Sequence, residues 1–374
     1  MKTIFTVAKA VAAVFLILGA VLLMTCGGGG GGDGGGGTTP PSATVNATTA
    51  PQISSSLGTV VTAVDSVLLP LNLNTGSGIS SPKSLLRHAR PLISRKGNNL
   101  AGSESLTEPC TDGGTITLNA TWDGPDDPGD CNEQRNPRIE FIFASCQEDA
   151  EILNGNMVMS IPGDLCDDTP SSYSITFSSL RYQDTGEDSD ITFNVTMNFS
   201  NVEYDANAYI TSMKESISGS IVGIVDGSDL NVNYEDFSLS SSGIQYDADD
   251  NIIKATAVVN GRFYGTVAGD QFDEQYDDLT CGFEPTTIDS VSGVLVSING
   301  RYRGACMDGW VTFETLTPIF IPESSSCPTS GQVKISGNGQ AMVTFNADGS
   351  VNIDVGGSVL PFATCDELPT CAVP

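Results

Sequence analysis

The stretch Ile191-Thr192-Phe193-Asn194-Val195-Thr196-Met197-Asn198-Phe199 alternates apolar and polar side chains without a break. A strand turns successive side chains to opposite faces, so this pattern gives one apolar face and one wet face. Tyr173, Ile175 and Phe177 repeat it, as do Ile139, Phe141 and Phe143, Leu230, Val232 and Tyr234, and Val351, Ile353 and Val355. Turn residues separate such runs at Asp123-Gly124, Asp226-Gly227, Asp308-Gly309 and Asp348-Gly349. Past Pro70 no long segment has a helical period. Short turns and a single wet face predict antiparallel pairing. The expected fold is all-β, a large antiparallel meander over residues 110–374 forming a curved sheet or sandwich, with one short N-terminal helix.

A repeat offers an alternative. Val259-Asn260-Gly261-Arg262-Phe263-Tyr264-Gly265 returns 39 residues later as Ile298-Asn299-Gly300-Arg301-Tyr302-Arg303-Gly304, with looser echoes from Leu118, Leu153, Ile217 and Ile335. Most spacings fall near 35–42 residues, with one of 64. Three or four strands fit in such a unit, which is the size of a propeller blade. Recurring hairpin chemistry would produce the same echo.

Residues 1–25 read as an export signal, with Lys2 and Lys9 and an apolar run from Val11 to Met24. Leu23-Met24-Thr25-Cys26 then resembles the bacterial lipoprotein signal, with Thr25 where Gly, Ala or Ser is usual. The resemblance implies cleavage before Cys26 and acylation of that cysteine. Several acyl chains anchor stably where one does not. Gly27, rather than Asp, follows the cysteine, which in such lipoproteins implies the outer membrane, facing either the periplasm or the cell surface.

Residues 26–52 predict a tether. Gly27 to Gly32 and Gly34 to Gly37 lead into Thr, Pro, Ser and Ala. About 25 such residues have a root-mean-square span near 30 Å. Residues 53–109 hold a short helix and a linker. Ile53, Leu57, Val60, Val61, Val64, Val67 and Leu68 recur at helical spacing up to Pro70. That helix packs on the body or lies on the membrane, although it lacks the lysines of a membrane-surface helix. Lys83, Arg87, Arg90, Arg95 and Lys96 make the linker basic. They could meet anionic headgroups, fold onto the acidic body, or stay solvated.

The chain has 374 residues and a formal charge of −29, which argues against nucleic acid as a partner. Past residue 100 there are 9 basic and 43 acidic side chains, a net of −34. His88 is the one histidine and lies in the linker. Ser-His-Asp and Cys-His catalysis therefore lack a base, and histidine-ligated metals lack ligands. No Gly-rich loop carries a phosphate-binding lysine, and no G-x-G-x-x-G opens a helix. Paired carboxylates could still hydrolyse glycosides. Such sites usually need aromatic platforms, and Trp122 and Trp310 are the only tryptophans. The expectation is a protein that is not an enzyme.

Ten cysteines suit an oxidising compartment. None forms C-x-x-C, which argues against zinc ribbons and redox motifs. Spacing suggests Cys110–Cys131, Cys146–Cys166, Cys281–Cys306 and Cys327–Cys365, leaving Cys371 as the odd thiol besides Cys26. Calcium is the candidate ion, since hard cations take oxygen ligands. Asp123, Asp126, Asp127 and Asp130 crowd one stretch, Asp247, Asp249 and Asp250 another, and Asp270, Asp273, Glu274, Asp277 and Asp278 a third. None has EF-hand spacing, and solvated acidic turns that block edge pairing give the same composition.

A last resemblance lies near the C-terminus. Asp308-Gly309-Trp310-Val311-Thr312-Phe313, Thr317-Pro318, Cys327-Pro328-Thr329-Ser330-Gly331 and Gly337-Asn338-Gly339-Gln340-Ala341-Met342-Val343-Thr344-Phe345 occur in that order. The order is similar to the end of predicted proteobacterial lipoproteins of unknown function, which implies β-structure and an envelope location. The expected role is binding or surface structure, with the membrane as partner through the N-terminal lipid. Two alternatives are a carrier whose strands shelter an apolar ligand such as a lipid, and a calcium-dependent adhesion module.

Overall fold

The computed structural model describes residues 41–57, 103–123, 135–163, 169–247, 252–304, 307–325 and 327–369. Cys26, the signal segment and the basic linker lie outside them. Sixteen strands form one sheet in sequential order. They are β1 Ser103–Pro109, β2 Gly113–Asp123, β3 Arg135–Glu148, β4 Glu151–Ser160, β5 Tyr173–Asp184, β6 Ser189–Tyr204, β7 Ile210–Val225 and β8 Ser228–Tyr246. The rest are β9 Ile252–Val267, β10 Asp270–Ile288, β11 Val291–Arg303, β12 Val311–Pro322, β13 Ser330–Gly337, β14 Gly339–Phe345, β15 Val351–Val355 and β16 Ser358–Phe362. The fold is all-β and antiparallel, as the alternation predicts. One continuous order replaces the separate blades that a propeller requires, so the propeller alternative fails.

The chain divides into two compact units. The first holds β1 to β7, β8 through Asp236 and residues 267–269; the second holds residues 41–57, β8 from Phe237, β9 through Thr266, and β10 to β16. In the first, Ile191, Phe193, Val195, Met197 and Phe199 of β6 are all buried, beside Phe177 and Leu180 of β5 and Met157 and Met159 of β4. In the second, Ile298 and Tyr302, Val311 and Phe313, and Val333 and Ile335 are buried. In each unit the apolar side chains of these strands fill the buried face and polar ones alternate with them on the other.

Long strands keep that face in phase by bulging. In β5 the buried residues are Tyr173, Ile175 and Phe177, then Leu180 and Tyr182, an odd-to-even switch across Ser178 and Ser179. In β10 they are Phe272, Glu274 and Tyr276, then Leu279 and Cys281, a switch across Asp277 and Asp278. An inserted residue reverses the facing of all that follow, so the bulge returns apolar residues to the core.

Asparagine side chains hold these and two similar bulges, three of them from an Asn-Gly pair (Asn154, Asn260 and Asn299) and one from Asn194, which precedes Val195. Asn154 Oδ1 accepts the Ser145 amide at 2.7 Å, and Asn194 Oδ1 the Ser179 amide at 2.9 Å. Asn260 Oδ1 accepts the Asp278 amide at 2.7 Å, and Asn299 Oδ1 the Thr315 amide at 2.9 Å. On the opposite flank of three of these bulges stands a glycine: Gly114 against Ser145, Gly155 against Ser179 and Gly300 against Asp278. Gly155 and Gly300 have φ of 109° and 125°, and a Cβ on either would overlap the carbonyl of Ser179 or Asp278. The echo near 39 residues is therefore two strands of one meander, and the dipeptide sits mid-strand rather than in a hairpin turn. True hairpin turns occur at Asp226-Gly227, where both residues have positive φ, and at Asp348-Gly349, where the Gly349 amide bonds Asn346 O.

The N-terminal boundaries differ from the sequence reading. Helix covers residues 49–57, so it starts before residue 53, and it is capped from Asn46. Asn46 Oδ1 accepts the Thr48 and Thr49 amides while Thr49 Oγ1 accepts the Asn46 amide, a reciprocal capping box. Ala43, Val45, Ala50, Ile53 and Leu57 are buried, so residues 41–52 belong to the body and not to the tether. Ser103–Pro109, expected as linker, is β1.

Removing a bulge acceptor strands a ladder amide, which costs about 1–3 kcal/mol. Asn260→Ala and Asn299→Ala should each lose that much in chemical denaturation, while Asn231→Ala, whose Oδ1 meets only the Asn233 amide group, should lose less than about 0.5 kcal/mol.

Candidate functional site

Among the described residues, each unit hides one carboxyl in its apolar face. In the first, Tyr173, Phe199 and Glu215 lie in one cross-strand row over β5, β6 and β7. The Tyr173 ring stacks on Phe199 with centroids 4.3 Å apart. Glu215 is 1% exposed, and neither carboxyl oxygen has a hydrogen-bond partner. Burial pushes its pKa up to about 8. The same burial, with Tyr204 and Glu215 nearby, raises Tyr173 well above the ordinary tyrosine range. A charged carboxylate is costly in such a place, so Glu215 keeps its proton at neutral pH.

In the second unit the inward carboxyl is Glu274 of β10, which accepts the Tyr302 hydroxyl. Tyr302 is in ring contact with Tyr276 and Phe313, at 5.6 and 5.9 Å. Phe237 and Phe263 extend the array, 6.2 Å apart. Phe263 and Tyr302 occupy the same position of the repeat, and both turn inward while the arginine before each turns outward.

The outward side of β9 to β12 carries a polar lattice. Arg262 binds Asp273 at 2.7 Å and lies over the Tyr264 ring at 4.3 Å. Arg301 binds Asp277 at 2.5 Å and lies over Trp310 at 4.8 Å. Gln275 donates to both Asp273 oxygens at 3.3 Å. Arg303 pairs in register with Gln275 and makes no ion pair among the described residues. Tyr264, Trp310, Gln275 and Arg303 are all half-buried. Stacked planar cations hold both rings in place.

The candidates from sequence fare unevenly. Cys327 and Cys365 are joined, as expected, and fasten the β12–β13 connection to the segment after β16. Cys110 pairs with Cys146, which overturns both Cys110–Cys131 and Cys146–Cys166. The β2–β3 meander lays Cys146 beside the start of β2, whereas spacing favours near neighbours in sequence. Each bridge stabilises by about 2–4 kcal/mol. Cys281 is a free buried thiol, which overturns Cys281–Cys306, and burial pushes its pKa up to about 12. Cys131, Cys166, Cys306 and Cys371 lie outside the described residues.

Of the calcium candidates, Asp126, Asp127 and Asp130 also lie outside, as do Asp249 and Asp250. Asp123 accepts the Asn136 amide group at 3.0 Å. The third cluster is not a loop. It runs along β10, with Asp273, Asp277 and Asp278 held by Arg262, Arg301 and Asn260, and Glu274 turned inward. Among the described residues the one grouping with metal-ligand spacing is Cys327, Cys365 and Asp366, and its sulfurs are already bonded to each other.

Sequence pattern offers no role for Glu215, and it groups Glu274 with an acidic cation cluster although the side chain is buried and accepts the Tyr302 hydroxyl. The signal was present, since Glu215 stands in phase between Met213 and Ile217, and Glu274 between Phe272 and Tyr276. No protein-family model matches the chain, and no curated protein is significantly similar to it.

Because Glu215 holds its proton more tightly folded than unfolded, stability should fall as pH rises from about 4.5 to about 8 and level off above. Glu215→Gln should remove that decline, raising the melting midpoint by about 4 °C at pH 8 and by little at pH 4.5. Melting curves across that range check it.

Proposed function

We propose that the protein is a non-catalytic, lipid-anchored envelope protein that binds neutral saccharide through the outward face of β9 to β12. The Arg262–Asp273 and Arg301–Asp277 lattice with half-buried Tyr264 and Trp310 carries this reading. A body of −34 repels polyanions, but this face balances its charges and combines rings with forked donors and acceptors. Hydroxyl-rich, uncharged ligands suit that chemistry. Cys26 and the signal before it support the anchor, and the outer membrane is the location they favour.

A second reading is the apolar-ligand carrier. Glu215, lacking a hydrogen-bond partner among buried Met197, Met213 and Phe199, is the observation that favours it. Mass spectrometry of the purified protein would show a co-purifying lipid in that case and none if the saccharide reading alone holds.

Co-sedimentation of the purified full-length protein with insoluble neutral polysaccharides such as cellulose, chitin and xylan tests the first reading. Retention on at least one is expected, with Tyr264→Ala and Arg303→Ala each weakening it about tenfold, equivalent to 1.4 kcal/mol. Retention on none contradicts it.

A further inference from the structure

Two pieces of the C-terminal motif, Asp308-Gly309-Trp310 and Gly337-Asn338-Gly339, meet at one place in the second unit, and residues 41–45 lie across them. The Ala43 amide donates to Trp310 O at 2.8 Å, and the Trp310 amide to Pro41 O at 2.9 Å. The Asn338 amide donates to Ala43 O at 2.7 Å, and the Val45 amide to Asn338 O at 3.2 Å. These four bonds use one edge of the segment. From the other edge the Thr44 amide and hydroxyl each donate to the Asp308 carboxylate at 2.8 Å. Those bonds hold Asp308 below the usual carboxylate range, the Thr44 amide contributing most.

The glycines mark this as a built seat. A Cβ on Gly309 would overlap the Pro41 carbonyl, and one on Gly337 the Ala43 carbonyl. Neither has a positive φ, so their own backbone would accept a side chain. What forbids it is the segment lying on top. Ala43 is fully buried there, and the capped helix over 49–57 follows directly.

We infer that Asp308–Trp310 and Gly337–Gly339 form a receptor for the chain's own residues 41–45, and that this strap is where the anchoring tether joins the folded body. The direction of pull rests on the lipid-anchor reading; the seat itself does not. The tether then ends at Pro41 and not near residue 52. Fourteen residues lie between Cys26 and Pro41, and a glycine-rich chain of that length has a root-mean-square span of about 20 Å. The antiparallel order puts the β11–β12 and β13–β14 connections at the strap end of the second unit, and the β10–β11 and β14–β15 turns at the far end. The strap end therefore faces the lipid. Trp310 belongs both to the strap seat, through its backbone, and to the outward lattice, through its ring.

Amide exchange by mass spectrometry on the purified full-length chain, wild type against Gly309→Ala and Gly337→Ala, tests the seat. Peptides covering 41–57 should be protected in the wild type. The variants should exchange there at least tenfold faster while peptides of β12 and β14 keep their protection. Free-chain exchange of 41–57 in the wild type would overturn the inference, as would equal loss across strap and strands. The mass of the N-terminal peptide from cell membranes decides the anchor separately. An unacylated peptide sinks the lipid reading and the assigned direction, and leaves the exchange result to judge the seat.

Discussion

An asparagine carbonyl accepting the amide of a bulged residue on the next strand is the contact on which the rest of this structure depends. A strand with one apolar face can grow long only if its phase errors are corrected. Each bulge corrects one, at the cost of a backbone amide turned out of the ladder. Asn154, Asn194, Asn260 and Asn299 take up those amides from within the sheet. Without them the inward set Leu180 and Tyr182, or Leu279 and Cys281, would turn to water. The core of each unit is thus conditional on a few polar side chains on its wet side.

The same local chemistry sets up both faces of the second unit. Asn299 and Gly300 shape the bulge, Arg301 turns outward to Asp277 and Trp310, and Tyr302 turns inward to Glu274. Four consecutive residues therefore contribute register, surface lattice and buried hydrogen bond. Asn260 to Phe263 supply register, lattice and a buried ring on β9, where Arg262 finds Asp273 and Phe263 joins the ring array. β10 lies between the two copies, which is why its acidic residues look like a cation loop in sequence and are spoken for in three dimensions.

Much of the fold was legible, because period-two alternation is a local signal that survives any tertiary arrangement. Ile191 to Phe199 needed nothing else. Where the alternation slips the local signal ends: Tyr173 to Phe177 are in phase, but Leu180 and Tyr182 of the same strand are out of phase. The repeat was visible while its meaning was not, since Asn-Gly is the favoured turn dipeptide and only pairing shows that it lies mid-strand. Cys327–Cys365 followed from spacing, whereas Cys110–Cys146 spans a hairpin and depends on register. The strap was hidden by composition. Pro41 to Val45 reads as tether because its burial comes from glycines roughly 270 to 300 residues away, and no local pattern reports that.

The most direct measurement is amide-resolved hydrogen exchange by NMR at Ser145, Ser179, Asp278 and Thr315. If asparagine side chains hold the bulges, these four amides should exchange as slowly as ladder neighbours such as Phe143 and Phe177. Exchange at the rate of open turns such as Gly269 would mean that the bulges are unheld, and that something other than this contact keeps the apolar face in phase.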